Sequence, residues 1–146
     1  MNANDFHKLR EECGVVGIYG VNQASRLIYL SLFALQHRGQ EAAGIVTFEH
    51  NIKTADDSNP RVYVHKSFGL VTDAFSEKTL NDLSGAMGVG HVRYSTAGGS
   101  LVENIQPFQF KTVLGPVAVA HNGNLTNAAD IRKKLEEKGS VFQSTS

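Results

Sequence analysis

The amino-acid sequence predicts a layered α+β domain. Several short runs of β-branched and aromatic residues are bounded by glycines or polar turns, as is typical of strands, and fewer segments repeat apolar residues at helical spacing. The strands follow one another without the regular strand–helix alternation of a wound parallel sheet. A chain of 146 residues suits a single domain with a substantial core.

The first half of the chain predicts three strands and one long helix. Strands are predicted over residues 15–19, 42–48 and 61–67. Apolar residues recur at helical spacing over residues 23–37, where Arg38 and Gly39 supply the cation and the glycine typical of a helix end. The polar range 51–61 contains the run Asp-Asp-Ser-Asn-Pro and predicts a surface loop.

The second half predicts two more strands and two more helices. Strands are predicted over residues 86–94 and 113–121. A short helix with a serine cap is predicted over residues 76–83. A longer helix is predicted from its cap, Thr126 or Asn127, to Lys138. Residues 141–142 are compatible with the start of another strand.

Charge and composition argue against several classes of partner. Lys plus Arg and Asp plus Glu number 14 each, so no net positive field favours nucleic acid. No apolar stretch approaches the roughly 20 residues of a membrane-spanning helix, and the histidines lack the spacing of a metal site. Residues 1–12 have no apolar centre and do not resemble a secretory signal. With its single cysteine, the sequence predicts a cytoplasmic protein without a nucleic-acid or membrane partner.

Cys13 is the single cysteine, and it follows Glu12 at the head of a glycine-punctuated apolar run. It has no partner for an internal disulfide and supplies at most one ligand to a metal. Cleavage of the Glu12–Cys13 bond would put its thiol and an α-amino group on the same carbon. Since an α-amino group has a pKa of about 8, it would serve as the general base of the thiol. From this segment alone, a small buried hydrophobe remains the open alternative.

Three further segments combine polar side chains with glycine. Arg93, at the end of a predicted strand, can clamp a carboxylate through two parallel hydrogen bonds, and Thr96 adds a hydroxyl. The alternative is an exposed, salt-bridging arginine before an ordinary turn. Asn122 and Gly123 can offer an amide and a main-chain N–H to an oxyanion, with a plain hairpin turn as the alternative. The segment around Arg38 is read as a helix terminus and turn, from which Arg38 can support the site.

Together these segments resemble the class II, N-terminal-nucleophile glutamine amidotransferases, and most of all the glutaminase domain of the amidophosphoribosyltransferases. The matching strings cover residues 12–17, 35–41, 90–99, 103–108 and 121–127. They keep the order of the family and cover the chain from Cys13 nearly to its end. The string Leu-Gln-His-Arg-Gly-Gln-Glu and Tyr94, which follows Arg93, favour the purine enzymes over the sugar-phosphate and asparagine relatives.

The resemblance implies both the fold and the roles of the residues. Cys13 would be the nucleophile, exposed by self-cleavage after Glu12, and Asn122 and Gly123 would form the oxyanion hole. The fold would be a four-layer αββα sandwich of the N-terminal-nucleophile hydrolase type, with two antiparallel sheets packed between helices.

Four more residues receive a role in substrate binding or support. Arg93, with help from Thr96, would hold the α-carboxylate of glutamine. Arg38 and Tyr94 would support the site.

The same resemblance predicts how the chain is divided. Residues 1–12 would be a cleavable leader, and residues 13–146 a partial glutaminase domain that is incomplete at its C-terminus. The family binds the α-amino group of glutamine through an acidic residue after the last helix, and no such residue is found here. The phosphoribosyltransferase domain would lie outside this sequence.

The implied activity is hydrolysis of glutamine. The ammonia would pass to phosphoribosyl pyrophosphate at the other domain and give phosphoribosylamine, the first step of de novo purine synthesis. The resemblance further implies a homo-oligomer, Mg²⁺ and a 4Fe–4S cluster in the full-length protein, with no cofactor or metal held by this chain. Two alternatives stay open: a class II amidotransferase with another ammonia acceptor, and an inactive fragment that acts only as a binding module.

Overall fold

A computed structural model describes residues 13–49, 60–94, 101–123 and 125–145, which contain two antiparallel sheets. The larger sheet has the strand order β1–β4–β2–β3, and the smaller is a hairpin of β5 and β6. The strands span Gly14–Tyr19 (β1), Ala42–Glu49 (β2), Arg61–Phe68 (β3), Met87–Arg93 (β4), Phe108–Thr112 (β5) and Gly115–Val119 (β6). The predicted α+β class is confirmed.

The main helix packs on one face of the larger sheet. The helices span Ala24–Ala34 (α1), Val71–Ala74 (α2), Glu77–Asp82 (α3) and Ala128–Glu136 (α4), and 3-10 turns span Gln36–Arg38 and Val102–Asn104. Ile28 and Leu32 of α1 are fully buried. Gly90 of β4 allows this close approach, since a Cβ atom there would collide with both side chains.

The opposite face of the larger sheet is covered as well. Val92 belongs to the core under α1, so the alternation of side chains along β4 directs His91 and Arg93 to the other face, where both are buried. Gly44 lies beside His91 in the neighbouring strand, and the main-chain carbonyl of Gln106 lies against it. The segment that leads into β5 therefore packs on the face that carries Arg93.

Four of the five predicted strands are confirmed to within one residue at each end, and the strand predicted over residues 113–121 is wrong at its start. Val113 and Leu114 form the tip of the β5–β6 hairpin and are 102% and 95% exposed. The hydroxyl of Thr112 accepts a hydrogen bond from the nitrogen of Leu114 at 3.2 Å, and Gly115 has a φ of 111°. Turn geometry therefore overrides the strand propensity of these two residues.

The helix predicted over residues 23–37 ends early, because α1 stops at Ala34 and a 3-10 turn follows. The side chain of Gln36 accounts for the change. Its Nε2 donates to the carbonyl of Gly39, and its Oε1 accepts a hydrogen bond from the nitrogen of Val71 at 2.6 Å. These two bonds tie the turn to the start of α2.

The other predicted helices are confirmed, and the final strand is not. The Oγ of Ser76 accepts a hydrogen bond from the nitrogen of Thr79 at 3.1 Å, which is the predicted cap of α3. The last predicted helix is α4, which has Asn127 at its cap position without a capping side-chain hydrogen bond and ends at Glu136 rather than Lys138. Phe142 lies outside any strand. The guanidinium of Arg132 packs over its ring, with Cζ of Arg132 4.3 Å from the centroid of the Phe142 ring.

Some of the sequence lies outside the described residues, including nearly all of the loop predicted over residues 51–61 and the leader predicted over residues 1–12. Within the described ranges, no helix combines the length and apolar character needed to cross a bilayer.

Candidate functional site

Cys13 lies where the start of β1 meets the end of β4. The two strands pair antiparallel, with Gly14 opposite Val92, so the residue before β1 lies beside the residue after β4. The nitrogen of Tyr94 donates to Cys13 Sγ at 3.5 Å, and the carbonyl oxygen of Tyr94 lies 3.8 Å from the same sulfur. The thiol of Cys13 is half-buried. The alternative of a simple core filler is therefore not what the structure shows.

Arg38 binds both polar main-chain groups of Cys13. The nitrogen of Cys13 donates to the carbonyl of Arg38 at 2.9 Å, and Arg38 Nε donates to the carbonyl of Cys13 at 2.8 Å. Gly39 allows the 3-10 turn to approach β4, since a Cβ atom at this position would lie 2.8 Å from the nitrogen of Arg93. The turn therefore fixes the position of Cys13 through hydrogen bonds.

Cys13 has an unusual backbone conformation. Its φ of 57° falls in the left-handed region, which costs a non-glycine residue about 1–2 kcal/mol. The two hydrogen bonds to Arg38 hold the residue in this conformation. Strained residues of this kind concentrate at functional sites.

Asn122 reaches Cys13 from a segment 109 residues away in the chain, and its Nδ2 donates to the carbonyl of Cys13 at 3.5 Å. It lies in the segment that follows β6, so the alternative of a plain hairpin turn at Asn122 and Gly123 is wrong. Gly123 has a φ of 116°, which favours glycine. The nitrogen of His121 donates to Oε1 of Gln106 at 2.7 Å. The side-chain amide of Asn122, one of the two expected oxyanion donors, therefore lies beside Cys13, and Gly123 follows it directly in the chain.

Arg93 is buried, with 5% of its surface exposed, so the alternative of an exposed arginine is wrong. Its Nε lies 3.7 Å from Oε2 of Glu41, and the nitrogen of Glu41 donates to the carbonyl of Arg93 at 3.1 Å. Arg93 directly precedes Tyr94, whose main chain contacts Cys13 Sγ. Two other expected site residues, Glu12 and Thr96, lie outside the described residues.

His91 is a buried member of the site that the sequence did not single out. It is fully buried on the same face of β4 as Arg93. Burial first, and then the charges of His121 and Arg93, lower the pKa of His91 to about 4. The imidazole of His91 is therefore neutral at pH 7. Its place two residues before Arg93 was a signal available in the sequence.

Glu41 and Gln106 are two more site residues that sequence reasoning missed. Both belong to the strings that carry the family resemblance, but neither had been given a chemical role. Their functions depend on contacts with Arg93 and His121, which are distant in sequence.

The residues of this chain do not fit the metal groups that the resemblance implies for a full-length protein. A 4Fe–4S cluster is held by several cysteine thiolates, and Cys13 is the single cysteine here. Across the described ranges, no group of three or more His, Cys, Asp and Glu side chains could hold a metal ion.

The chain is similar to the N-terminal quarter of known amidophosphoribosyltransferases, although no family model matches it. It is 52% identical over 145 residues to the chloroplastic enzyme of Vigna aconitifolia, covering 99% of this chain and 28% of the relative. It is 49% identical over 135 residues to that of Methanocaldococcus jannaschii, covering 91% and 27%. It is 46% identical over 139 residues to that of Bacillus subtilis, covering 94% and 27%.

Solved structures give the same result for the fold. The glutamine phosphoribosylpyrophosphate amidotransferase of B. subtilis, solved with ADP and GMP, matches with a TM-score of 0.76 and 41% identity over 90% of this chain and 26% of that one. A structure described as the allosteric regulatory enzyme of purine biosynthesis matches with a TM-score of 0.77 and 43% identity, over 89% and 26%. These likenesses confirm the resemblance and the N-terminal-nucleophile hydrolase fold.

Proposed function

We propose that this chain is the glutamine-hydrolysing domain of an amidophosphoribosyltransferase. One arrangement carries the proposal: the Cys13 thiol lies against the main chain next to Arg93, and the amide of Asn122 reaches the same cysteine. A nucleophile, a carboxylate-binding guanidinium and an oxyanion donor are the three groups that this hydrolysis needs. The likeness to amidophosphoribosyltransferases over most of the chain supports the assignment.

Catalysis begins once the Glu12–Cys13 bond is cleaved. The sulfur of Cys13 attacks the side-chain amide carbon of glutamine, and the thiol proton passes to the new α-amino group. The tetrahedral oxyanion accepts hydrogen bonds from Nδ2 of Asn122 and the nitrogen of Gly123. The C–N bond then breaks, the leaving nitrogen takes the proton, and ammonia departs from a thioester. Water attacks the thioester with the α-amine as base, which releases glutamate and restores the thiol.

The neighbouring main chain supports the nucleophile. The nitrogen of Tyr94 donates to the sulfur of Cys13 at 3.5 Å and helps to fix the position of the sulfur. The carbonyl of Arg38 accepts a hydrogen bond from the nitrogen of Cys13 and so holds the future α-amine in place. These contacts support the proposal that Arg38 and Tyr94 assist the site.

Arg93 binds the α-carboxylate of glutamine, with Thr96 as a second donor. A guanidinium carries five N–H donors in a fixed plane. The carboxylate of Glu41 lies toward Nε, and its distance of 3.7 Å makes it an ion-pair partner that also holds the guanidinium in place. A substrate carboxylate would bind to the guanidinium in the bidentate manner typical of arginine.

The ammonia acceptor is phosphoribosyl pyrophosphate, which gives phosphoribosylamine at a phosphoribosyltransferase domain. The chain spans about a quarter of the length of the curated relatives it matches, with 28% and 27% covered in two of them. We expect from the family resemblance a full-length homo-oligomer of two-domain chains, acting in a reducing compartment such as the cytoplasm, where Cys13 remains a thiol. An unprocessed chain would act only as a binding module, since its α-amine would still be part of a peptide bond.

The N-terminal residue of the purified full-length protein tests the proposal. Mass spectrometry should find Cys13 at the N-terminus of the wild type, together with glutaminase activity. The Cys13→Ala variant should keep its first twelve residues and release no ammonia from glutamine. Glutamine hydrolysis by Cys13→Ala would overturn the proposal.

A further inference from the structure

We infer that Gln106 is a positioning residue for the oxyanion donors Asn122 and Gly123, acting through the main chain of His121. The inference deepens the proposed function and rests on it. Gln106 belongs to the string 103–108, which the proposed chemistry does not otherwise use.

The side chain of Gln106 makes a short hydrogen bond to the loop that carries the donors. Its Oε1 accepts from the nitrogen of His121 at 2.7 Å, which lies at the short end of the range for N–H···O bonds. Gln106 is buried, with 5% exposed, and so are its neighbours Asn104, Ile105 and Pro107. The donor residue His121 is itself exposed and the bond is part-buried, so its loss would release a tether on the loop that carries the donors.

The main chain of Gln106 is anchored to the centre of the larger sheet. Its carbonyl oxygen lies so close to Gly44 that a Cβ atom on Gly44 would collide with it. Gly44 belongs to β2, which pairs with β4 on one side and β3 on the other. Because β2 is a central and largely buried strand, it gives Gln106 a rigid base.

The loop that Gln106 holds lies beyond the smaller sheet. The ladder between β5 and β6 ends at the pair Phe108 and Val119. His121 comes two residues later and directly precedes Asn122, so its N–H is well placed to set where the donors point. The bond from His121 to Gln106 thus connects this loop to the same sheet that carries Cys13 at the edge of β1.

This connection matters for rate more than for binding. Oxyanion donors act on charge that develops in the transition state, and removing one costs roughly a hundred- to a thousandfold in kcat. Functional groups must be held to within about 0.5 Å of their productive positions. Loss of the Gln106 bond should therefore lower kcat and leave the KM for glutamine nearly unchanged, because the clamp at Arg93 is untouched.

Three variants of Gln106 and one control test this in the processed full-length enzyme. Gln106→Met keeps the shape of the side chain but removes the acceptor, and Gln106→Glu keeps an acceptor oxygen in the same place. Gln106→Asn keeps the amide but withdraws it by one methylene. Gln109→Met makes a like change at an exposed site on β5.

Two quantities are measured in each variant: the kinetic constants for glutamine and the hydrogen-exchange rate of the His121 amide by NMR. Gln106→Met should lower kcat by roughly 10- to 100-fold, with KM within about threefold of wild type, and speed exchange at His121 by at least about tenfold. Gln106→Glu should recover most of both, and Gln109→Met should match wild type. If Gln106→Met does not fold, Gln106→Asn is held to the same criteria.

A folded Gln106→Met or Gln106→Asn enzyme with an unchanged kcat would overturn the inference. So would a loss of activity that is fully explained by the fraction of the variant protein that is unfolded. The exchange rate separates this failure from failure of the proposed function. A wild type without glutaminase activity would end the proposed function, whereas exchange at His121 would still report whether Gln106 holds the loop. An active wild type with an equally active Gln106→Met would end only the positioning role.

Discussion

Arg38 forms hydrogen bonds with both the carbonyl and the nitrogen of Cys13. Arg38 Nε donates to the carbonyl of Cys13 at 2.8 Å, and the nitrogen of Cys13 donates to the carbonyl of Arg38 at 2.9 Å. The first bond depends on a side chain and the second does not, so substitution can separate them. A lysine at position 38 would keep the positive charge but lose the planar Nε donor.

Arg38→Lys should therefore lower glutaminase kcat/KM by roughly 10- to 100-fold, since a misplaced nucleophile is costly. Steady-state ammonia release measures the effect. Arg26→Lys is the matched control, because Arg26 pairs with Glu77 on the exposed side of α1, where such pairs contribute little. Full activity in Arg38→Lys would show that the main-chain bond alone positions Cys13.

Asn122 supplies a side-chain amide donor to the carbonyl of Cys13. Asn122→Ala should lower kcat by roughly a hundred- to a thousandfold, with little change in KM, because the donor acts on the oxyanion of the transition state. Asn127→Ala provides a control nearby, since the side chain of Asn127 makes no capping hydrogen bond to α4. An Asn122→Ala enzyme that loses affinity for glutamine while keeping its kcat would assign Asn122 to substrate binding instead.

The sequence could predict four strands of the larger sheet because β-branched runs between turn residues are local signals. The meeting of Cys13 with Asn122 could not be derived from such signals, since it depends on β1 pairing with β4 and on the loop after β6. Only the family resemblance, and not the spacing of residues, predicted that Cys13 and Asn122 belong to the same site. β5 was missed because polar residues interrupt its short pattern, and it follows a proline.

The burial of polar site residues could not be predicted from the sequence either. Arg93 and His91 belong to residue types that are usually exposed or intermediate, yet they lie between the larger sheet and the segment leading into β5. Their burial follows from tertiary packing of Gln106 against Gly44, which no local pattern reveals.

Gly39 and Gly17 offer a matched test of how tightly the site is packed. A Cβ atom on Gly39 would lie 2.8 Å from the backbone nitrogen of Arg93, whereas one on Gly17 would meet nothing within 4 Å. Gly39→Ala should lower the free energy of unfolding by about 2 kcal/mol or more, because backbone atoms cannot move aside cheaply. Gly17→Ala should change it by no more than about 0.5 kcal/mol. Denaturant titration measures both, and equal values would mean that the turn can shift away from β4.

His91 should make the protein less stable as the pH falls. Its pKa is lowered to about 4 in the folded protein, chiefly by burial and then by His121 and Arg93, whereas the ordinary value is 6.5. Between these values the unfolded chain binds a proton that the folded chain does not, so this contribution is complete above pH 6.5 and disappears as the pH approaches 4. A shift of this size corresponds to about 3 kcal/mol.

The variant His91→Gln removes the titration but keeps a polar side chain of similar size. The loss of unfolding free energy between pH 7 and pH 4.5 should be smaller in His91→Gln than in wild type by about 2–3 kcal/mol. Histidine NMR chemical shifts followed against pH give the pKa directly. A measured pKa of His91 near 6.5 would mean that water reaches the imidazole, and the pH dependence of stability would then have to come from other groups.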